Sequence, residues 1–196
     1  MTIVFLIVIA VVVVWGISAY NGLIALKGQT TNAWKQIDVQ LKRRHDLIPN
    51  LVNAAKGAMN FEKETLEAVI QARNQAVRVA SNASPTGGGI KAVADAEAAL
   101  TQALSRFNVV VERYPDLKAT ANVSQLQEEL TSTENRVAFA RQLYNDTATS
   151  YNVRQQQFPW TLVAGFAKAT PVELWEIEDE HDRDVPQVDL SMNPKT

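Results

Sequence analysis

The sequence predicts an all-α protein: an N-terminal single-pass transmembrane helix followed by an antiparallel, up-and-down four-helix bundle. Three observations carry this. The chain opens on an unbroken apolar run, with no charge before Lys27. Apolar residues then recur three and four apart along four separate stretches, the period of one helix face. The prolines and the glycine triplet, which interrupt helices, lie mostly between those stretches.

Size and composition set the outer limits. A chain of 196 residues accommodates one ordinary domain with appendages. Its net charge of −2 supplies no field for a polyanion, so no nucleic-acid partner is expected. The absence of cysteine excludes disulfides, thiolate nucleophiles and Cys-ligated zinc.

The first element is "IVFLIVIAVVVVW", residues 3–15. The uncharged window, residues 2–26, would be about 37 Å long as a helix, enough to cross the hydrocarbon core. Valine is a weak helix former in water, but lipid offers the backbone no other hydrogen-bonding partner. No basic residue precedes the run and Ile17-Ser18-Ala19 is a poor cleavage site, so it reads as a retained anchor and not a signal peptide. Trp15 and Tyr20 suit the membrane–water interface. Lys27, Lys35, Lys42, Arg43 and Arg44 all follow the run, which by the positive-inside bias puts the N-terminus outside and the bundle in the cytoplasm.

The first bundle helix should continue the anchor, since only Gly28 loosens the connection. Its seam is Leu23, Leu26, Thr30, Ala33, Ile37, Leu41 and Ile48, with Arg44 or His45 where an apolar residue is due. Pro49 has no N–H to offer the carbonyl of His45, which predicts a kink or a restart over residues 46–49 with Asp46 as cap. Gly57 is placed to be a left-handed cap before a turn at residues 57–61. A second helix over residues 62–81 turns Leu66, Val69, Ile70, Val77 and Ala80 inward. "SNASPTGGG", residues 81–89, is a loop. The third helix, residues 90–113, uses Val93, Leu100, Leu104, Phe107 and Val111, and Pro115 ends it.

The fourth helix has the most regular seam: Val123, Leu126, Leu130, Thr133, Val137, Ala140, Tyr144, Thr147, Tyr151, Arg154 and Phe158. Asn122 with Gln125 offers a cap, and Pro159 stops the helix. "WTLVAGF", residues 160–166, and "PVELWEI", residues 171–177, are too short to span a bilayer. They would cover the bundle end or lie on the membrane, so Trp160, Phe166 and Trp175 join Trp15 and Tyr20 as membrane-interface candidates. An acidic tail from Glu178 onward lacks a core pattern and is expected to be disordered. The organisation is then an anchor over residues 1–26, a bundle with its short apolar segments over residues 27–175, and a tail over residues 176–196.

Candidate chemistry is sparse. Lys42, Arg43, Arg44 and His45 form a basic knot suited to anionic lipid or an acidic partner. The plainer reading is a charged helix surface, with Arg44 or His45 paired to a glutamate of another helix near the seam. A bundle di-iron centre needs Glu from two helices and Glu-x-x-His from two more, yet the histidines number 2, His45 and His181. Gly87-Gly88-Gly89 lacks the Lys-Ser/Thr of a phosphate loop. No catalytic residue, metal ligand or cofactor is assigned. Tyr144-Asn145 and Tyr151-Asn152 stand one heptad apart and face the same way, reading as core rings whose hydroxyls reach polar partners.

With these residues laid out, "AWKQIDVQLKRRHDLIPNLV", residues 33–52, resembles the signature of the LemA family of bacterial membrane proteins. The likeness continues through Gly57, "ERYPDLKA", "LQEELTSTENRVAFARQLYN", Tyr151-Asn152, Phe158-Pro159 and Gly165-Phe166, covering about residues 20–170. It implies a single-pass anchor in the bacterial cytoplasmic (inner) membrane, a helical bundle, no established enzymatic activity, and relatives linked to building internal membranes. Where the family carries an aromatic residue after the glycine and a His-Glu pair nearby, this chain has Ala58 and Phe61-Glu62. The resulting expectation is a membrane-anchored, non-enzymatic scaffold that contacts the lipid bilayer and a protein partner of unknown identity, with homo-oligomerisation open. The rival expectation is an enzyme or metal protein with its site in the bundle core.

Overall fold

Anchor and first bundle helix are one rod. In the computed structural model, which describes residues 1–59, 62–118 and 120–176, α1 runs unbroken over Thr2–Lys56. Among the described residues it is the one helix long and apolar enough to cross a membrane. Thr30 and Thr31 do not break it, because their hydroxyls donate back to the Leu26 and Lys27 carbonyls at 3.0 Å each. There follow α2 (Lys63–Ala80), α3 (Ile90–Val111), a one-turn α4 (Pro115–Lys118), α5 (Ala121–Gln156) and the short α6 (Trp160–Phe166). The chain is all-helical as the periodicity requires, with no strand among the described residues.

Pro49 does not restart the helix. The His45 carbonyl that it leaves open is taken by another element: Arg73 of α2 donates from Nε at 3.0 Å, with its Nη2 4.0 Å from Asp46. A carbonyl so satisfied gives the helix no reason to stop. Replacing Arg73 with methionine should therefore destabilise the bundle by about 1–3 kcal/mol, the cost of an orphaned buried acceptor. In a Pro49→Ala background the same change should cost much less, since the N–H of residue 49 can then close the normal turn. Denaturant titration of the four variants in detergent micelles measures that coupling; equal costs in both backgrounds would remove the explanation.

Two more local expectations are corrected. Gly57 is right-handed (φ −67°), because the N–H groups of Ala58 and Met59 reach the Ala55 carbonyl without a left-handed residue. Asn122 and Gln125 do not cap α5. Thr120 stands at its N-cap and turns its hydroxyl back onto the Leu117 carbonyl at 2.7 Å. Pro115 begins α4 as well as following α3, being free to occupy a first turn. Gly88 and Gly89 have φ of +83° and +89°, which is what the glycine run supplies to the turn before α3. Phe61, His181 and the acidic tail lie outside the described residues.

Cross-helix contacts give the direction of packing. Trp15 meets Trp160, Trp34 meets Tyr144 and Arg44 nears Glu134, so α5 runs antiparallel along α1. α2 pairs with both α1 and α3. The buried core has two parts. The distal part gathers Ile48, Leu51, Leu66, Val69, Leu100 and Phe107; the proximal part gathers Trp34, Ile37, Leu41, Val93, Tyr144, Tyr151 and Trp175. Residues 44, 45 and 97 fall between them.

Candidate functional site

The seam of α1 lacks an apolar residue after Leu41, and the large apolar side chains of the α3 seam skip from Val93 to Leu100, with only the small Ala94 and Ala96 as buried apolar residues between them. The two gaps meet. Arg44 and His45 from α1 and Glu97 from α3 are each 4% exposed. Arg44 Nη1 donates to Glu97 Oε2 at 3.0 Å, and His45 Nε2 lies 2.6 Å from Oε1. An ionised carboxylate only accepts, so the ring nitrogen is the donor. Arg44 Nη2 donates to Thr101 Oγ1 at 2.8 Å, one turn along α3, and sits 3.8 Å from the half-exposed Glu134 of α5. Each Glu97 oxygen thus has a cationic or N–H partner, and three helices are tied at one level between the core halves.

Arg141 of α5 lies beside this cluster with its guanidinium 5.7 Å from the Trp175 ring centroid. Burial, then repulsion from Arg44, draws its pKa below the ordinary arginine value, while Glu134 and Glu97 oppose the shift. A cavity of about 290 Å³ is lined by Arg44, Glu97, Thr101, Glu134, Arg141 and Trp175. The larger cavity, about 570 Å³ between α1 and α2, is mostly apolar, with Lys56, Lys63 and Glu67 among its lining residues. Among the described residues no group of three or more His, Cys, Asp and Glu could hold a metal ion.

A second polar arrangement holds the segment after α6. Asn152 donates to the Val172 carbonyl and accepts from its N–H, both at 2.9 Å. Asn145, one heptad earlier, does the same with Trp175 at 3.0 and 2.9 Å. The Tyr144 hydroxyl donates to the Glu173 carbonyl, and the Glu173 carboxylate accepts from the Ile90 N–H at 2.8 Å. Residues 171–176 therefore form an extended strap, clasped to α5 by two asparagines and joined to the start of α3 by one glutamate.

Tyr144 is fully buried, and burial, then the Glu173 charge, pushes its pKa up to about 12. The folded state holds the phenolic proton more tightly than the unfolded chain, whose tyrosines titrate near 10. That contribution to stability is complete below pH ~10 and is lost as pH rises toward about 12. Tyr144→Phe should flatten this part of the alkaline unfolding profile, which far-UV circular dichroism in detergent would measure.

The sequence candidates divide. Lys42 and Arg43 are exposed, whereas Arg44 and His45 are buried on Glu97. Tyr20 and Phe166 are exposed, and Trp15 packs edge-on to Trp160 at 6.3 Å. Trp175 is not at an interface: it is 4% exposed and lies 6.1 Å from the Trp34 ring, because the asparagine clasp draws it into the core. Glu97, Arg73, Glu173 and the two asparagines carry more of the architecture than the sequence assigned them. The wide step from Val93 to Leu100 was the signal for Glu97 and the repeated Tyr-Asn the signal for the asparagines; nothing in the sequence singles out Arg73 or Glu173.

Comparison with known proteins gives a consistent setting. The sequence model of the LemA family matches residues 33–190. Similar proteins include Magnetosome protein MamQ 2 of Paramagnetospirillum magneticum, 26% identical over 172 residues, covering 76% of this chain and 63% of the relative. Magnetosome protein MamQ of Magnetospirillum gryphiswaldense is 24% identical over 198 residues, covering 90% of this chain and 72% of the relative. Protein LemA of Metamycoplasma hominis is 28% identical over 142 residues, covering 72% and 61%. The chain thus spans 63% of the length of the first of these relatives.

Proposed function

Because this chain belongs to the LemA family, and is thereby a membrane-associated protein, we propose that it is a non-enzymatic scaffold held by α1 in the bacterial cytoplasmic membrane. One observation carries the reading: α1 continues from bare apolar surface into the bundle without a flexible joint. A rod of this kind fixes the height and orientation of a binding surface above the bilayer. The Arg44, His45 and Glu97 side chains satisfy one another, so their placement supports a locking role over a reaction centre.

The partner surface is the α1–α5 face that carries Val39, Phe139 and Leu143, all exposed. They border a depression of about 440 Å³ whose charged lining residues are Lys35 and Arg136. Exposed apolar side chains flanked by cations suit an amphipathic helix with acidic edges. A photo-crosslinking amino acid at Phe139 should give one discrete adduct in native membranes, lost on reversing Lys35 and Arg136 to glutamate. The same probe at exposed Gln125 should give none. Equal labelling at both positions would end the proposal for this face. A reporter active only in the cytoplasm, fused after Thr196, should be active; inactivity would reverse the orientation.

A further inference from the structure

Residues 2–14 are exposed on every side, yet at about 1.5 Å per residue they account for only about 20 Å. A hydrocarbon core is about 30 Å thick, the length of residues 2–21. The missing 10 Å falls where α1 already has protein beside it: Ala19 is buried, and Trp15 packs against Trp160 of α6. The surface that α6 turns outward there is apolar. Leu162 is 59% exposed, Phe166 90%, and Phe158 in the preceding turn 78%, while Ala164 faces inward. Just above, Arg154 of α5 sets its guanidinium 4.8 Å from the Trp160 ring centroid, a cation beside an aromatic. Cations and tryptophans favour the headgroup level.

We propose that α6 and the Phe158 turn are sunk into the bilayer leaflet next to the bundle, so that the hydrocarbon boundary crosses α1 near Tyr20 and α5 near Arg154. The occupant of this apolar surface is lipid, because the surface is continuous with the span and makes up its shortfall in length. α6 then acts as a second, shallow foot that prevents the bundle from tilting about α1. The inference rests on the reading that α1 spans the bilayer.

The chain has no cysteine, so single cysteines can carry a nitroxide. Full-length protein labelled at Val8, Leu162, Phe166 or Phe139 would be reconstituted in vesicles of phosphatidylcholine and phosphatidylglycerol. Collision with oxygen, which concentrates in lipid, would be compared with collision by a water-soluble nickel chelate. All four sites are exposed, so the labels spare the core. The oxygen-to-nickel ratio should be highest at Val8, several-fold above Phe139 at Leu162 and Phe166, and lowest at Phe139. Leu162 and Phe166 matching Phe139 while Val8 remains in lipid would overturn the inference alone. Val8 in water would overturn the spanning reading, and the inference with it.

Discussion

Replacing Glu97 with alanine is expected to lower the stability of the bundle by about 3–5 kcal/mol, the usual cost of breaking a buried ion pair from one side. At about 2–4 °C per kcal/mol for a chain of this size, the melting temperature of the detergent-solubilised protein should fall by roughly 6–20 °C. The cost comes from what remains behind. Arg44 keeps Thr101 and a distant, solvent-screened Glu134, and His45 loses its acceptor. Gln at position 97 should recover part of the loss, because its carbonyl can still accept one bond. Arg44→Met, His45→Leu and Glu97→Leu together should recover most of it, since apolar groups of similar size need no partners there. A small loss for the single alanine variant would mean that the three side chains are solvated and that the core is not divided by a polar layer.

Removing both clasping asparagines should act differently. If the strap stayed in place in an Asn145→Ala, Asn152→Ala variant, the N–H and carbonyl of Val172 and of Trp175 would be left without partners. Each such buried group costs about 1–3 kcal/mol. Burial of Val172 and Trp175 returns only about 1.5–3 kcal/mol per large side chain. Release of the strap is therefore the lower-energy outcome. Amide exchange at Val172 and Trp175 should approach that of an unstructured peptide, and tryptophan emission should shift to the red as Trp34 and Trp175 meet water. The melting temperature should fall less than for the Glu97 variant, because the strap can leave without opening the four long helices. Unchanged protection at these two amides would show that side-chain packing alone holds the strap.

The helices were legible because their signal is local and repetitive. The α5 seam from Val123 to Tyr151 has a residue at almost every expected place, and Val123, Leu130, Thr133, Val137, Ala140, Tyr144 and Tyr151 are indeed buried. The sequence also marked the irregular place on α1 where Arg44 or His45 replaces an apolar residue, and asked for a glutamate opposite. It could not choose among many glutamates. A restart at Pro49 did not occur, for a related reason: the missing bond was visible in the helix itself, but its replacement, Arg73, comes from a different helix. Trp175 was misplaced because a tryptophan in a short apolar segment reads alike whether it meets lipid or core. Its position is settled by Asn145, thirty residues away.

By itself the sequence determined the helical class, the apolar run, the order of the helices and most of the face each turns inward. The α5 seam slips by one residue at two places after Tyr144: Ala148 and Gln155 are buried where Thr147 and Arg154 were expected, and Phe158 is exposed. A periodic pattern needs only neighbours three and four residues apart to express itself. Only the tertiary structure decided which polar groups meet: Arg44 and His45 with Glu97, Arg73 with the His45 carbonyl, and two asparagines with the strap. A buried hydrogen bond depends on distances of about 3 Å between groups far apart in the chain, which no local pattern encodes.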